Sequence, residues 1–150
     1  MPPVDLRSHI HQFIRAAEDL SPRSLESFSM FYAPECRFAD PFQTVVGRTR
    51  VLHIYKGMFD DLEAPCFRNV RLLGAVSESA REAVIGWEFE FALDKRSARQ
   101  SIAGCSRLLF NDHGEIQEHV DHWDASQLMQ ALPLIGRLIA WLRRKIGRAH

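Results

Sequence analysis

Apolar positions change their spacing twice along the chain, dividing it into a helical beginning, a strand-rich middle and a helical end. From Asp5 to Asp19, Leu6, Ile10, Phe13, Ile14 and Ala17 recur at intervals of three and four, which predicts an amphipathic helix. The next segment, LSPRSLESFSMFYAP, predicts a second helix with Ser21 as N-cap and Pro22 at its first position. Leu25, Phe28 and Phe31 or Tyr32 form its inner face, and Pro34 ends it. ECRFAD then reads as a short strand on which Cys36, Phe38 and Asp40 share one face. A turn through Gly47 opens a third helix, RTRVLHIYKGMFDDL, with Val51, Leu52, Tyr55, Met58, Phe59 and Leu62 at helical spacing.

Between Cys66 and Trp123 the period shortens to that of strands. FRNVRLLGAVS, EAVIGWEFEFAL, RQSIAGCSRLLF and EIQEHVDHW each read as one strand, with Trp87, Phe89 and Phe91 alternating against Glu88 and Glu90. NDHG at 111–114 is a hairpin turn signal. Helices first and antiparallel strands afterwards describe an α+β protein whose helices lie on one face of a sheet. The tail LPLIGRLIAWLRRKI predicts a last helix from Pro133, with Leu134, Ile135, Leu138, Ile139, Trp141, Leu142 and Ile146 making most of its surface apolar.

A length of 150 residues, 46% hydrophobic and 25% charged, suits one domain over 1–150, with a core over about 5–125 and a basic helix over about 133–147. Equal numbers of basic and acidic residues, 19 each, give no reason to expect nucleic acid as a partner. Their distribution is uneven: after Asp124 there is no acid, whereas Arg137, Arg143, Arg144, Lys145 and Arg148 are all basic. The favoured reading packs this tail against its own domain or a dimer partner. Attachment to a membrane surface through Trp141 and the cations is the second reading. Cys36, Cys66 and Cys105, odd in number and without a CxxC spacing, point away from a disulfide framework and a zinc site and toward a reducing cytoplasm. The first residues, MPPVDLRSHIHQ, lack the pattern of a secretory signal, and no apolar run reaches the ~18 residues of a membrane span.

FYAPECRFADPF, the Gly47-Arg48 entry into the third helix, WEFEF and the closing GEIQEHVDHWD, in that order and over roughly residues 5 to 125, resemble the NTF2-like superfamily, particularly its SnoaL-like branch. The resemblance implies a cone: a strongly curved sheet around the helices, a deep apolar pocket open at one end, and a homodimer. Members include isomerases, cyclases, epoxide hydrolases, dehydratases, transport adaptors and binding proteins, so the fold alone leaves function open. Around Asp40-Pro41 the chain is similar to ketosteroid isomerase, whose catalytic base is the Asp before Pro at the end of the first strand. That enzyme's two enolate donors, a Tyr on the first helix and a protonated Asp on the third long strand, fall here on Ile14 or Phe13 and on Ser106. Such donors supply roughly 2.7–4 kcal/mol each, so ketosteroid isomerase activity is not expected. Epoxide hydrolysis, which needs an inward Asp-Arg-Asp arrangement, is disfavoured because Arg107 lies on the outer strand face.

On the last strand, alternation groups Gln117, His119, Asp121 and Trp123 against Glu118, Val120 and His122. The resemblance turns the Trp123 face into the cone, so His119 and Asp121 project inward near Asp40. Such a set suits general acid and base work. The reading that follows is a cone that binds a small, largely apolar carbonyl-type molecule and catalyses isomerase- or cyclase-like proton transfer without a cofactor. Asp40 is the base, His119 with Asp121 relays the proton, and Phe38, Tyr55, Trp87, Ser106 and Trp123 line the ligand. Blander readings stand beside it. An Asp before proline is also a turn residue, and His119 with Asp121 is also a plain buried hydrogen-bonded pair. The Tyr55 hydroxyl suits the pocket mouth or the core equally. On these readings the chain is a non-catalytic ligand-binding or protein-interaction module. No metal site is expected: His119 and His122 point to opposite strand faces, and His9 and His11 diverge on their helix.

Overall fold

The computed structural model describes residues 3–132 and 135–146, apart from the side chains at 139, 143 and 145. The first periodic stretch forms helix α1, Leu6–Glu18, whose N-cap Asp5 accepts a hydrogen bond from the Ser8 amide at 3.2 Å. Its buried stripe is Leu6, Ile10, Phe13 and Ala17. Burying a large apolar side chain of this kind contributes about 1.5–3 kcal/mol, so the stripe fixes which face of α1 meets the sheet. Helix α2 is shorter than its spacing predicts and spans Leu25–Ser29. Ser21 and Ser24 close a turn on each other instead of opening the helix, through Ser24 N to Ser21 O and Ser21 N to the Ser24 hydroxyl. Tyr32 is drawn into strand β1, Tyr32–Ala39, where it pairs with Ile116 and is wholly buried.

A short strand β2, Thr44–Val46, which the sequence did not announce, pairs back onto β1. Gly47, at φ 109°, then admits helix α3, Arg48–Asp61. Arg48 ties the start of that helix to the sheet by donating to Tyr32 O at 2.8 Å and to Glu115 at 3.2 Å. The long strands are β3 (Glu63–Leu72), β4 (Glu82–Ala92), β5 (Gln100–Phe110) and β6 (Ile116–Trp123). They form one six-stranded sheet in the order β2-β1-β6-β5-β4-β3. All neighbours are antiparallel except β1 and β6, which run parallel, so the expected antiparallel sheet has one exception at the join between its two parts.

Irregularities bend this sheet around the helices. The register of β3 against β4 shifts between Glu63 and Cys66 and again between Arg68 and Arg71. Ala64 and Asn69, inside those intervals, have φ 45° and 48°, the signature of bulges that increase strand bending. Glu18 of α1 accepts the Val70 amide of β3 at 2.9 Å, joining helix to bent strand. On β6 an extra residue between Ile116 and Glu118 resets the alternation, so Gln117 faces solvent and Ile116 the core, contrary to the strict alternation of the sequence reading. Beyond this point His119, Asp121 and Trp123 face inward.

The core fills the closed end of the cone. Phe13 stacks on Phe28 with centroids 5.3 Å apart, and Tyr32, Ile85, Leu108, Phe110 and Ile116 complete it. The outer sheet face carries charge instead: Arg107 pairs with Glu82 and Glu118 at 2.9 Å each, and Arg37 reaches Glu118 at 3.7 Å. After β6 come a five-residue helix α4, Ala125–Met129, and helix α5, Ile135–Ile146. The predicted start of the last helix at Pro133 and Leu134 lies outside the described residues.

Candidate active site

The open end of the cone is a cavity of about 660 Å³, within the range that holds a drug-sized ligand. Its wall is largely aromatic and aliphatic, with Phe38, Tyr55, Phe67, Trp87, Phe89 and Phe91 among the lining residues. Helix α3 supplies one side through Arg50, His53, Ile54, Gly57, Met58 and Asp61, the successive turns of a single helix face. Trp123 and Phe42 meet edge to face at 5.4 Å, and α4 adds Leu128. Of the residues expected to touch ligand, Phe38, Tyr55, Trp87 and Trp123 border this cavity. Ser106 borders a smaller void of about 20 Å³ behind it, together with His119, Phe13 and Ile85. Tyr55, Phe67, Trp87 and Asp121 border both spaces.

Six side chains join there in one hydrogen-bonded chain. The Trp87 indole donates to Ser106 Oγ at 2.8 Å, and Ser106 donates to Asp121 Oδ1 at 2.5 Å. His119 Nε2 meets the same oxygen at 2.6 Å. On its other side His119 Nδ1 lies 2.9 Å from the Tyr32 hydroxyl, which lies 3.0 Å from that of Tyr55. Phe38 packs on the imidazole at 4.7 Å and Tyr32 stacks on it at 5.8 Å. His119 is therefore held from every side, with 3% side-chain exposure against 17% for Asp121. Among the described residues nothing donates to Asp121 Oδ2, the carboxylate oxygen left over on the residue that borders the cavity.

The direction of the chain depends on one proton. An ionised Asp121 only accepts, so His119 Nε2 carries hydrogen and donates to it. With neutral His119, Nδ1 accepts from Tyr32, and Tyr32 in turn accepts from Tyr55. With an imidazolium, Nδ1 donates to Tyr32, Tyr32 donates to Tyr55, and the Tyr55 proton is free to point into the cavity. Both phenols keep their protons in either state. Burial, followed by the charge of Asp121, lifts the Tyr55 hydroxyl well above the usual phenol range. Burial, followed by Tyr55, does the same for Tyr32.

Asp40 stands at the rim rather than in this chain. Its Oδ1 accepts the amides of Phe42 at 2.8 Å and Gln43 at 3.0 Å, and its Oδ2 accepts the Gln43 side chain at 3.1 Å. The carboxylate thus closes the β1–β2 turn, with the Asp40 amide donating back to Gln43 O at 2.9 Å. It still borders the cavity, and its charge reaches Tyr55. Tyr32 is the member of the hydrogen-bonded chain that sequence reasoning missed, because helical spacing from Phe28 placed it on α2. Val45 of β2 and Leu128 of α4, also lining the cavity, sit on elements too short to leave a periodic signal. Among the described residues no group of three His, Cys, Asp or Glu side chains is placed to hold a metal ion.

Solved structures with this architecture share little sequence with the chain. A candidate polyketide cyclase from Xanthomonas campestris pv. campestris superimposes with a TM-score of 0.67 at 12% identity, over 83% of this chain and 96% of that one. A candidate isomerase from Bacillus subtilis gives 0.62 at 11% identity, over 96% and 94% of the two chains. A protein of ketosteroid isomerase-like fold from Catenulispora acidiphila, in complex with trimethylamine, gives 0.65 at 13% identity, over 78% and 86%. Among curated proteins none matches the sequence. Residues 10–119, from the buried Ile10 of α1 to the central histidine of the hydrogen-bonded chain, match the SnoaL-like domain, and the chain belongs to that family, within the NTF2-like fold.

Proposed function

We propose that the protein binds a small, largely apolar carbonyl compound in the cone and moves a proton beside the carbonyl, an isomerase- or cyclase-type reaction run by its own side chains. The observation that carries this reading is the Asp121 carboxylate, fixed through Oδ1 by Ser106 and His119 and bordering an apolar cavity. In the active form Asp121 is ionised and His119 is an imidazolium. Asp121 Oδ2 takes the proton from the carbon next to the carbonyl, and Tyr55, with its proton turned outward, donates to the carbonyl oxygen as negative charge develops there. The role of base thus passes from Asp40 to Asp121, because three of the roughly four lone pairs of Asp40 are spent on the β1–β2 turn, whereas Asp121 keeps all of Oδ2. Phe38, Trp87 and Trp123 hold the apolar body of the ligand. Ser106 acts through Asp121 and is a positioning residue. The three free cysteines suit the cytoplasm, and a homodimer is the assembly the family resemblance suggests.

Deuterium exchange at the carbon next to the carbonyl, followed by NMR over a panel of apolar ketones that bind the cavity, tests the reading. Asp121→Asn should lose about 10²–10⁴-fold in exchange rate while keeping ligand affinity. Asp40→Asn, with the turn preserved, should stay within about tenfold of the parent. If the unaltered protein binds such ketones and exchanges none of them, the cone is a binding site without catalysis.

A further inference from the structure

Helix α5 leaves the body of the protein with an apolar face uncovered. Ile135, Leu138, Leu142 and Ile146 recur at spacings of three and four, so they line one side of the helix. Their exposures are 50%, 57%, 36% and 81%, and Trp141 beside them is 46% exposed. Arg137 and Arg144, one heptad apart, fall on the opposite side at ~100° per residue and are exposed too. The helix is set firmly at its start: Gly136 is buried, its amide donates to Leu132 O at 2.7 Å, and a Cβ there would collide with the backbone of Gln130. Folded proteins rarely leave a contiguous apolar patch uncovered without a partner.

Charge identifies the partner. Every residue after Asp124 is neutral or basic, with five Lys and Arg, which leaves 14 of the 19 basic residues against all 19 acids in the rest of the chain. A second α5 laid on this face would cover the apolar stripe but leave Arg137 and Arg144 of both helices on the outer sides, with no acid on either helix to pair with. An anionic lipid surface satisfies both halves of the helix, since the headgroup–acyl boundary takes the apolar stripe and the headgroups take the arginines. Twelve residues make a helix of about 18 Å, too short for a bilayer core of about 30 Å. No helix among the described residues is long and apolar enough to cross a membrane, so α5 lies in the plane of the interface. It also lies outside residues 10–119, the part that matches the family. We infer that α5 is an interfacial anchor that docks the protein on anionic phospholipid surfaces.

Co-sedimentation of the full chain with phosphatidylcholine vesicles, pure or containing one-third phosphatidylserine, tests this directly. The protein should pellet with the anionic vesicles, only weakly with the neutral ones, and less as salt is raised. Arg137→Gln with Arg144→Gln should weaken binding roughly 25-fold, about fivefold per cation. Leu138→Glu with Ile146→Glu should abolish it while leaving thermal unfolding unchanged, because these are the two most exposed of the described apolar side chains on the helix. The anchor is refuted if the parent protein does not pellet with anionic vesicles, or if the double Glu variant still does. It is equally refuted if sedimentation velocity shows a dimer that the double Glu variant splits while vesicles bind neither protein, since the face then joins two copies.

Discussion

Removing one buried hydroxyl, Tyr32→Phe, separates structure from chemistry in the hydrogen-bonded chain. The ring stays, with its edge contacts to Phe13 at 6.2 Å and Phe28 at 6.0 Å, so no cavity larger than an oxygen atom is created. Two hydrogen bonds are lost, to His119 Nδ1 at 2.9 Å and to Tyr55 at 3.0 Å. Tyr55 borders the cavity and can find another partner there. His119 cannot, because it is 2% exposed and packed between aromatic rings. Leaving one buried polar atom without a partner costs about 1–3 kcal/mol, and about 2 is the figure to expect. For a chain of this length each kcal/mol moves the melting temperature by about 2–4 °C, so Tm should fall by about 4–8 °C. Urea unfolding should show the same loss with an unchanged m-value. Loss of the link between His119 and Tyr55 should also lower kcat with KM little changed, by less than the roughly 10²–10³-fold of a lost oxyanion donor because the Tyr55 hydroxyl remains. Tyr55→Phe, which removes the donor itself, should show the full loss of about 10²–10³-fold with a smaller loss of stability. A stability change under about 0.5 kcal/mol would refute the buried bond itself. A clear loss of stability with kcat intact would refute the relay and leave the chain a structural feature.

Two further expectations rest on the same residues. Tyr32 and Tyr55 are the only tyrosines in the sequence and both are lifted above the usual phenol range, so the folded state holds their protons more tightly than the unfolded state does. Stability should be intact below pH about 10 and fall by about 1.4 kcal/mol per pH unit per tyrosine above it. Tyrosinate absorbance should then appear only with cooperative unfolding, and its appearance in the folded protein near pH about 10 would overturn this. Gly104 pairs with Trp87 across β4 and β5, and a methyl there would overlap the indole ring. Gly104→Ala should therefore cost about 1–3 kcal/mol and pull the indole off Ser106, seen as a change in near-ultraviolet circular dichroism and ligand affinity; an unmoved Trp87 with unchanged Tm would contradict it.

How far the chain could be read depended on how local each feature was. The 3.6-residue period of α1 and the alternation of Trp87, Phe89 and Phe91 on β4 are written in neighbouring residues, because each element buries one face. Tyr32 defeated that logic. Its spacing from Phe28 suits a helix, yet backbone pairing with Ile116 places it in a strand, and no local pattern records a partner so far along the chain. Gln117 was misplaced for a related reason, since a single bulge reverses the alternation on which inward and outward were judged.

The sequence by itself determined the α+β class, the order of most elements, the grouping of His119, Asp121 and Trp123 on one strand face, and the apolar and basic character of the tail. Periodicity and composition suffice for these, because they follow from burying one side of each element. Only the tertiary structure decided that Asp40 closes a turn at the rim while Asp121 is held at the cavity by Ser106 and His119. It also placed Tyr32 and Tyr55, 23 residues apart, in line with His119, 87 residues beyond Tyr32. Hydrogen bonds form between groups within about 3 Å, and distance along the chain carries no information about that separation until the sheet has curled around the helices.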